Sequence, residues 1–192
     1  MIKFLNKTFF FYVLKFLVIF CLFYFGTLAI IGLSSPSGYY SPFVAHYFNF
    51  IDGLRLSLLN TSKFFLELVG YKVYTIDKFT LRISEHVGIK MVYSCIGYGV
   101  MSFWGAFVIA NTGTFKKKII WLLCGWIAIW LINILRIVLL LIALYKGWQI
   151  PFGLDHHTWF NIAAYLLIFL LIYFYDRSAS TVHQTHLSKN FK

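Results

Sequence analysis

Few side chains in this sequence can do chemistry, and three of them fall within apolar stretches: a cysteine in "MVYSCIGYGVMSFW", an arginine in "NILRIV" and a histidine in "DHHTWFNIAAY". The thiolate is the reactive form of cysteine, and a thiol at the start of a helix meets the positive end of the backbone dipole, which favours that form. Cys95 is expected at such a helix start. Gly97 and Gly99 follow it, and glycines there let a second backbone approach and leave amides free for an oxyanion. Arg136 is a permanent positive charge inside an apolar run, a placement that costs ~2.5–3.5 kcal/mol at the centre of a membrane helix. Its functional reading is a stabiliser of a thiolate or a developing oxyanion. Asn133 lies three residues earlier on the same helical face.

His157 and Asn161 are four residues apart and share a face. Histidine does general acid and base work near neutral pH, and an amide that orients the imidazole completes a known arrangement for activating a thiol. His156 is the alternative base; the four-residue spacing to Asn161 favours His157. Each group also has a bland reading: Cys95 as a small buried hydrophobe, Arg136 as a side chain snorkelling to head groups, the histidines as interfacial residues. Asp155, His156 and His157 are the one metal-like cluster, but adjacent ligands chelate poorly together and no HExxH pattern exists, so neither a metal nor a cofactor is expected. Ser94 reads as a helix cap. No GxSxG, P-loop or dinucleotide fingerprint occurs, and a CxxC redox pair is absent.

The elements that must position these groups follow from composition. The 192 residues are 60% hydrophobic and 21% aromatic, and only 12% are charged, against about half and a quarter for soluble domains. The apolar residues gather in four runs, 9–33, 95–111, 119–145 and 158–175, each near the ~20 residues that cross a bilayer as a helix. The expected fold is an all-α integral membrane protein forming a single domain over 1–192. It has four transmembrane helices, or five if the apolar but charge-interrupted stretch 43–69 also spans. The better reading of 43–69 is an amphipathic helix lying in the interface. The first run is too long for an ordinary signal peptide and is taken as an anchor.

Lys3, Lys7 and Lys15, then Lys116 to Lys118, then Arg177, Lys189 and Lys192 fall on one side of these runs, which the positive-inside rule makes cytoplasmic. The net charge of +11 is therefore read as topology and lipid contact, not as nucleic-acid binding. The loop 34–94 lies outside, and 176–192 is a loose cytoplasmic tail. Within the outer loop, "YKVYTIDKFTLRIS" alternates about an Asp77-Lys78 turn, with Phe79, Leu81 and Ile83 on one face of a hairpin, and a further strand at 89–93 leads into Cys95. Cys95, Arg136 (about 25 Å along its helix) and the His156-His157 pair then arrive at the outer face at similar depth. Cys21 and Cys124 fall too deep to pair with Cys95.

The segments "SCIGYGVMSFWGAFVIA", "NILRIVLLLIA" and "HHTWFNIAAYLLIF", in this order within 93–169, resemble the three signature helices of the exosortase/archaeosortase family. That family is marked by a Cys at a helix head, an Arg in an N-x-x-R-I stretch, and a His with a small or amide residue four later. "SCIGYG" departs from the small or polar residue that directly follows the Cys in many members. The resemblance implies a catalytic helical core at 93–175 and a membrane-embedded cysteine protease or transpeptidase in the cytoplasmic (inner) membrane, its site facing outward. Cys95 would be the nucleophile, Arg136 the stabiliser and His157 the general acid/base, with Asn133, His156, Asn161 and Gly97 in support. It would act on exported proteins ending in a motif, a transmembrane helix and a basic cluster, and pass them to an acceptor. The competing classes are a non-enzymatic assembly or secretion subunit and a membrane thiol acyltransferase.

Overall fold

The computed structural model describes residues 7–36, 39–148 and 156–189. The chain is mostly helical. Helix α1 (Lys7–Ser34) is followed by a short α2 (Pro42–Tyr47) and by α3 (Phe50–Leu68). Three short strands come next, β1 (Tyr74–Thr75), β2 (Thr80–Arg82) and β3 (Gly88–Lys90), and then α4 (Tyr98–Ala110), α5 (Phe115–Lys146) and α6 (His156–Lys189).

Among the described residues, two helices are long and apolar enough to cross a membrane: 26 residues of α1 from Phe9, and α5. Neither behaves as the core helix of a soluble domain. No residue of the most apolar stretch of α1 is buried, and only a third of that in α5. Phe9, Phe25, Ile127 and Leu135 stand more than half exposed, as lipid-facing side chains do. Helix α4 has 13 residues, about 20 Å of rise, short of the ~30 Å hydrocarbon layer. Helix α3 carries Asp52, Arg55, Lys63 and Glu67 and is not among the spanning candidates.

Helix α3 is amphipathic, as expected, and its apolar face packs on the rest of the protein. Ile51, Arg55, Leu58, Leu59, Ser62 and Leu66 are its buried stripe, and that stripe packs on Ile134, Ile137 and Leu141 of α5 with Leu81, Ile83, Met91 and Ile96. Burying each aliphatic side chain of this cluster contributes ~1.5–3 kcal/mol where water is the alternative. Trp130 of α5 reaches across to donate its indole N–H to Ser57 Oγ at 3.0 Å. Asn49 caps α3, its side chain accepting from the Asp52 amide at 3.2 Å, with Asp52 favourably placed in the first turn. At the other end Gly70, at φ +94°, lets the amides of Gly70 and Tyr71 return to the carbonyls of Glu67 and Leu66, the hydrogen-bond pattern of a left-handed helix stop.

The strands form one antiparallel sheet in the order β1-β2-β3, registered Thr75 to Leu81 and Leu81 to Ile89. Leu81 and Ile83 are buried beside half-buried Phe79, which is the face the alternation indicates. Asp77 closes the first turn by accepting from the Phe79 amide at 2.8 Å and the Thr80 hydroxyl at 3.0 Å. These bonds hold its carboxyl below the ordinary value of 3.8.

Two boundaries differ from expectation. The helix expected from residue 95 begins at Tyr98, because Gly97 takes a left-handed conformation at φ +79° and interrupts it. Helix α6 does not stop at 175 but continues to Lys189. The stretch 176–189 is polar, yet it holds neither glycine nor proline to break a helix.

Candidate functional site

Cys95 closes a single 3₁₀ turn, Tyr93–Cys95, between the end of β3 and the start of α4. The Cys95 amide donates to the Val92 carbonyl at 3.0 Å and the Ile96 amide to Tyr93 at 3.3 Å. The thiol therefore sits on a compact corner and not at the first turn of α4. It is half-buried, and neither Cys21 nor Cys124 is bonded to it; both are exposed.

Helix α5 supplies two polar residues to this corner. Arg136 brings Nη2 to 3.9 Å from Cys95 Sγ, a charge-to-thiol approach longer than a tight hydrogen bond. Asn133, one turn earlier and buried, donates from Nδ2 to the Ile96 carbonyl at 3.1 Å. A Cβ on Gly97 would lie 2.7 Å from that nitrogen. Gly97 is thus required twice, by its positive φ and by the closeness of Asn133. The space that a side chain at 97 would take is filled by Asn133, while Gly97 itself lines the cavity beside Arg136. A Cβ on Gly99 would meet the Tyr24 ring at 3.5 Å, an ordinary van der Waals contact.

Beside the corner lies a cavity of about 230 Å³, lined by Arg136 and Asn133 with Gly97, Tyr24, Tyr98 and Tyr165 of α6. The Tyr24 and Tyr98 rings pack with centroids 5.4 Å apart. Tyr98 also borders a larger apolar cavity of about 510 Å³ that opens beneath α3 and is floored by Met101 and Trp126.

Helix α6 packs on α5 through its side chains. Trp121 of α5 packs on Tyr175 at 5.6 Å between ring centroids, while Ile129 and Ile132 share the smaller cavity with Tyr165, so α5 and α6 run antiparallel. The side chains of His156, His157, Asn161 and Ser94 lie outside the described ones, and Asp155 lies outside the described residues.

The chain matches no protein-family profile, no curated protein and no solved structure.

The structure adds one residue that sequence reasoning passed over. Arg55 of α3, read only as a charge interrupting an apolar stretch, is 5% exposed. Its Nη2 donates to the Met91 carbonyl and its Nη1 to Asp52 Oδ1 at 3.2 Å. The guanidinium lies between the Phe79 ring, 3.5 Å from its centroid, and the Tyr93 ring at 4.4 Å. The signal was present in the spacing, since Arg55 falls in register with Ile51, Leu58, Leu59 and Ser62 on the buried stripe.

Proposed function

We propose that the protein is a membrane-embedded cysteine protease or transpeptidase of the exosortase/archaeosortase kind. It cuts the C-terminal sorting signal of exported proteins at the outer face of the cytoplasmic membrane and passes them to an acceptor. Helices α1, α5 and α6 cross the membrane in this reading, and the short run 95–111 that contains α4 crosses where the bilayer thins to meet it, with both termini cytoplasmic and α3 and the sheet forming an outer cap. The observation that carries it is the approach of the Arg136 guanidinium to the Cys95 thiol, between residues 41 apart in sequence. A cysteine serving only as a small hydrophobe has no use for an arginine drawn into an apolar helix at a cost.

The chemistry runs as acyl transfer. Cys95 Sγ, as the thiolate, attacks the carbonyl carbon of the scissile peptide, and the C=O electron pair moves onto oxygen. Arg136 stabilises negative charge on sulfur and then on that oxygen, and its charge does not titrate away. The tetrahedral intermediate collapses to a thioester as the C–N bond breaks, and His157 gives its proton to the departing amine. An acceptor amine or water then attacks the thioester, His157 taking its proton. A substrate anchored by its own membrane helix has its scissile bond confined to a thin layer, so a reactive thiol held at that depth gains the proximity advantage without a deep cleft.

The test is to map the C-terminal peptides of exported membrane-anchored proteins in cells carrying Cys95→Ala, Arg136→Ala or His157→Ala. Each variant, present in the membrane at normal level, should accumulate uncleaved C-termini. Normal processing in Cys95→Ala would remove the enzymatic reading.

A further inference from the structure

We infer that Arg55 is a positioning residue for Cys95, fixing the upstream flank of the corner so that the thiol stays within reach of Arg136. The inference rests on reading Cys95 as the reactive thiol. It starts from a side chain that stability alone does not explain. A buried charge pair is often less stabilising than apolar residues of the same volume, and Arg55 occupies a place in the stripe where a leucine would pack. One of its donors, Nε, is buried without a hydrogen-bond partner, a further cost.

What the arginine provides is a link that an aliphatic side chain cannot make. Its flat guanidinium is held between Phe79 of the hairpin and Tyr93 of the 3₁₀ turn. Its edge bonds the Met91 carbonyl and Asp52, and Asp52 in turn meets Lys78 at 3.5 Å. Met91 is further tied to the hairpin by its amide, which donates to the Phe79 carbonyl at 2.8 Å. Tyr93 stands two residues before Cys95, and the turn's own hydrogen bonds pass its position on to the thiol. On the downstream side Asn133 holds the Ile96 carbonyl. Cys95 is thus fixed from both sides, by Arg55 of α3 before it and by Asn133 of α5 after it. A lysine keeps the charge at position 55 but has neither the planar face nor the fork needed to stack and bond together.

The experiment is a double-mutant cycle on the full-length protein in phospholipid vesicles, with Cys21 and Cys124 replaced by alanine. The rate of Cys95 alkylation by iodoacetamide at pH 7 is measured with Arg136→Met in the presence of Arg55 and in the Arg55→Lys background. Tyr93→Leu, which removes one wall around the guanidinium but leaves the charge, serves as a second background in case Arg55→Lys does not fold. With Arg55 in place, Arg136→Met slows alkylation by about 3- to 50-fold. In either altered background the effect of Arg136→Met shrinks below about twofold, because the thiol is no longer held beside the guanidinium. An Arg136 effect of the same size in all backgrounds overturns the inference, since a purely structural arginine lowers stability without changing that coupling. Processing that persists in Cys95→Ala overturns the enzymatic reading instead and leaves this cycle unaffected.

Discussion

Replacing Arg136 by methionine removes the charge beside Cys95 while keeping an unbranched apolar side chain on α5. At 3.9 Å the attraction between a guanidinium and a thiolate is ~1 kcal/mol at the dielectric of water and ~4 kcal/mol at an effective constant of about 20. In the bond-forming step part of the charge still sits on sulfur, with a Brønsted slope of about 0.4–0.5, so roughly half of that attraction is felt in the rate. Alkylation of Cys95 by iodoacetamide at pH 7 should therefore slow by about 3-fold if the corner is wet and by about 50-fold if it is screened from water. The assay uses protein in which Cys95 is the sole cysteine, with labelling followed by mass spectrometry. Arg136→Lys should recover part of the rate, since it keeps the charge but not the fork. A rate unchanged within twofold in Arg136→Met, or a faster one, would refute the claim that this arginine acts on the thiol.

Gly97→Ala places a methyl 2.7 Å from Asn133 Nδ2 at a φ of +79°, a conformation that costs ~1–2 kcal/mol for a residue with a side chain. It should break the Asn133–Ile96 bond and slow alkylation of Cys95 even where the protein inserts normally, as read by the same labelling assay. Gly125→Ala drives a methyl into the fully buried Trp104 indole, which donates to the Trp121 carbonyl; overpacking of this kind costs ~1–3 kcal/mol, and a lowered thermal midpoint should report it. Asp77 has a folded value depressed by the Phe79 amide and the Thr80 hydroxyl, so its contribution to the hairpin is present above 3.8 and lost as pH falls through the folded value. Hydrogen exchange across 74–82 should accelerate at the acid end in the natural protein, and Asp77→Asn should flatten that pH dependence.

Much of this fold was legible because the signals are local. The runs of apolar residues that became α1, α5 and the first part of α6 declare themselves by length alone, and the alternation of Phe79, Leu81 and Ile83 gave the buried face of the hairpin. The approach of Arg136 to Cys95 was within reach of sequence reasoning, since helical rise estimates depth and depth brings separate helices level. What escaped depends on contacts between distant segments. The break at Gly97 requires Asn133 to press against it from α5, and nothing within "SCIGYG" announces that neighbour. Arg55 was taken only as a charge interrupting an apolar stretch, and its meaning lies in Met91 and the two rings around it, brought there by the sheet. The end of α6 was misjudged because polarity was taken for a stop signal, whereas helices are stopped by backbone chemistry.

The central claim is that Cys95 forms the covalent intermediate of a cleavage reaction, and one measurement addresses it most directly. Membranes from cells expressing the natural protein and the Cys95→Ala variant at equal level are compared by C-terminal peptide mapping of anchored exported proteins. The account predicts shortened C-termini with the natural protein, intact motif-helix-basic tails with Cys95→Ala, and an acyl adduct on Cys95 released by neutral hydroxylamine. Identical shortened C-termini from both, with no adduct on Cys95, would contradict it.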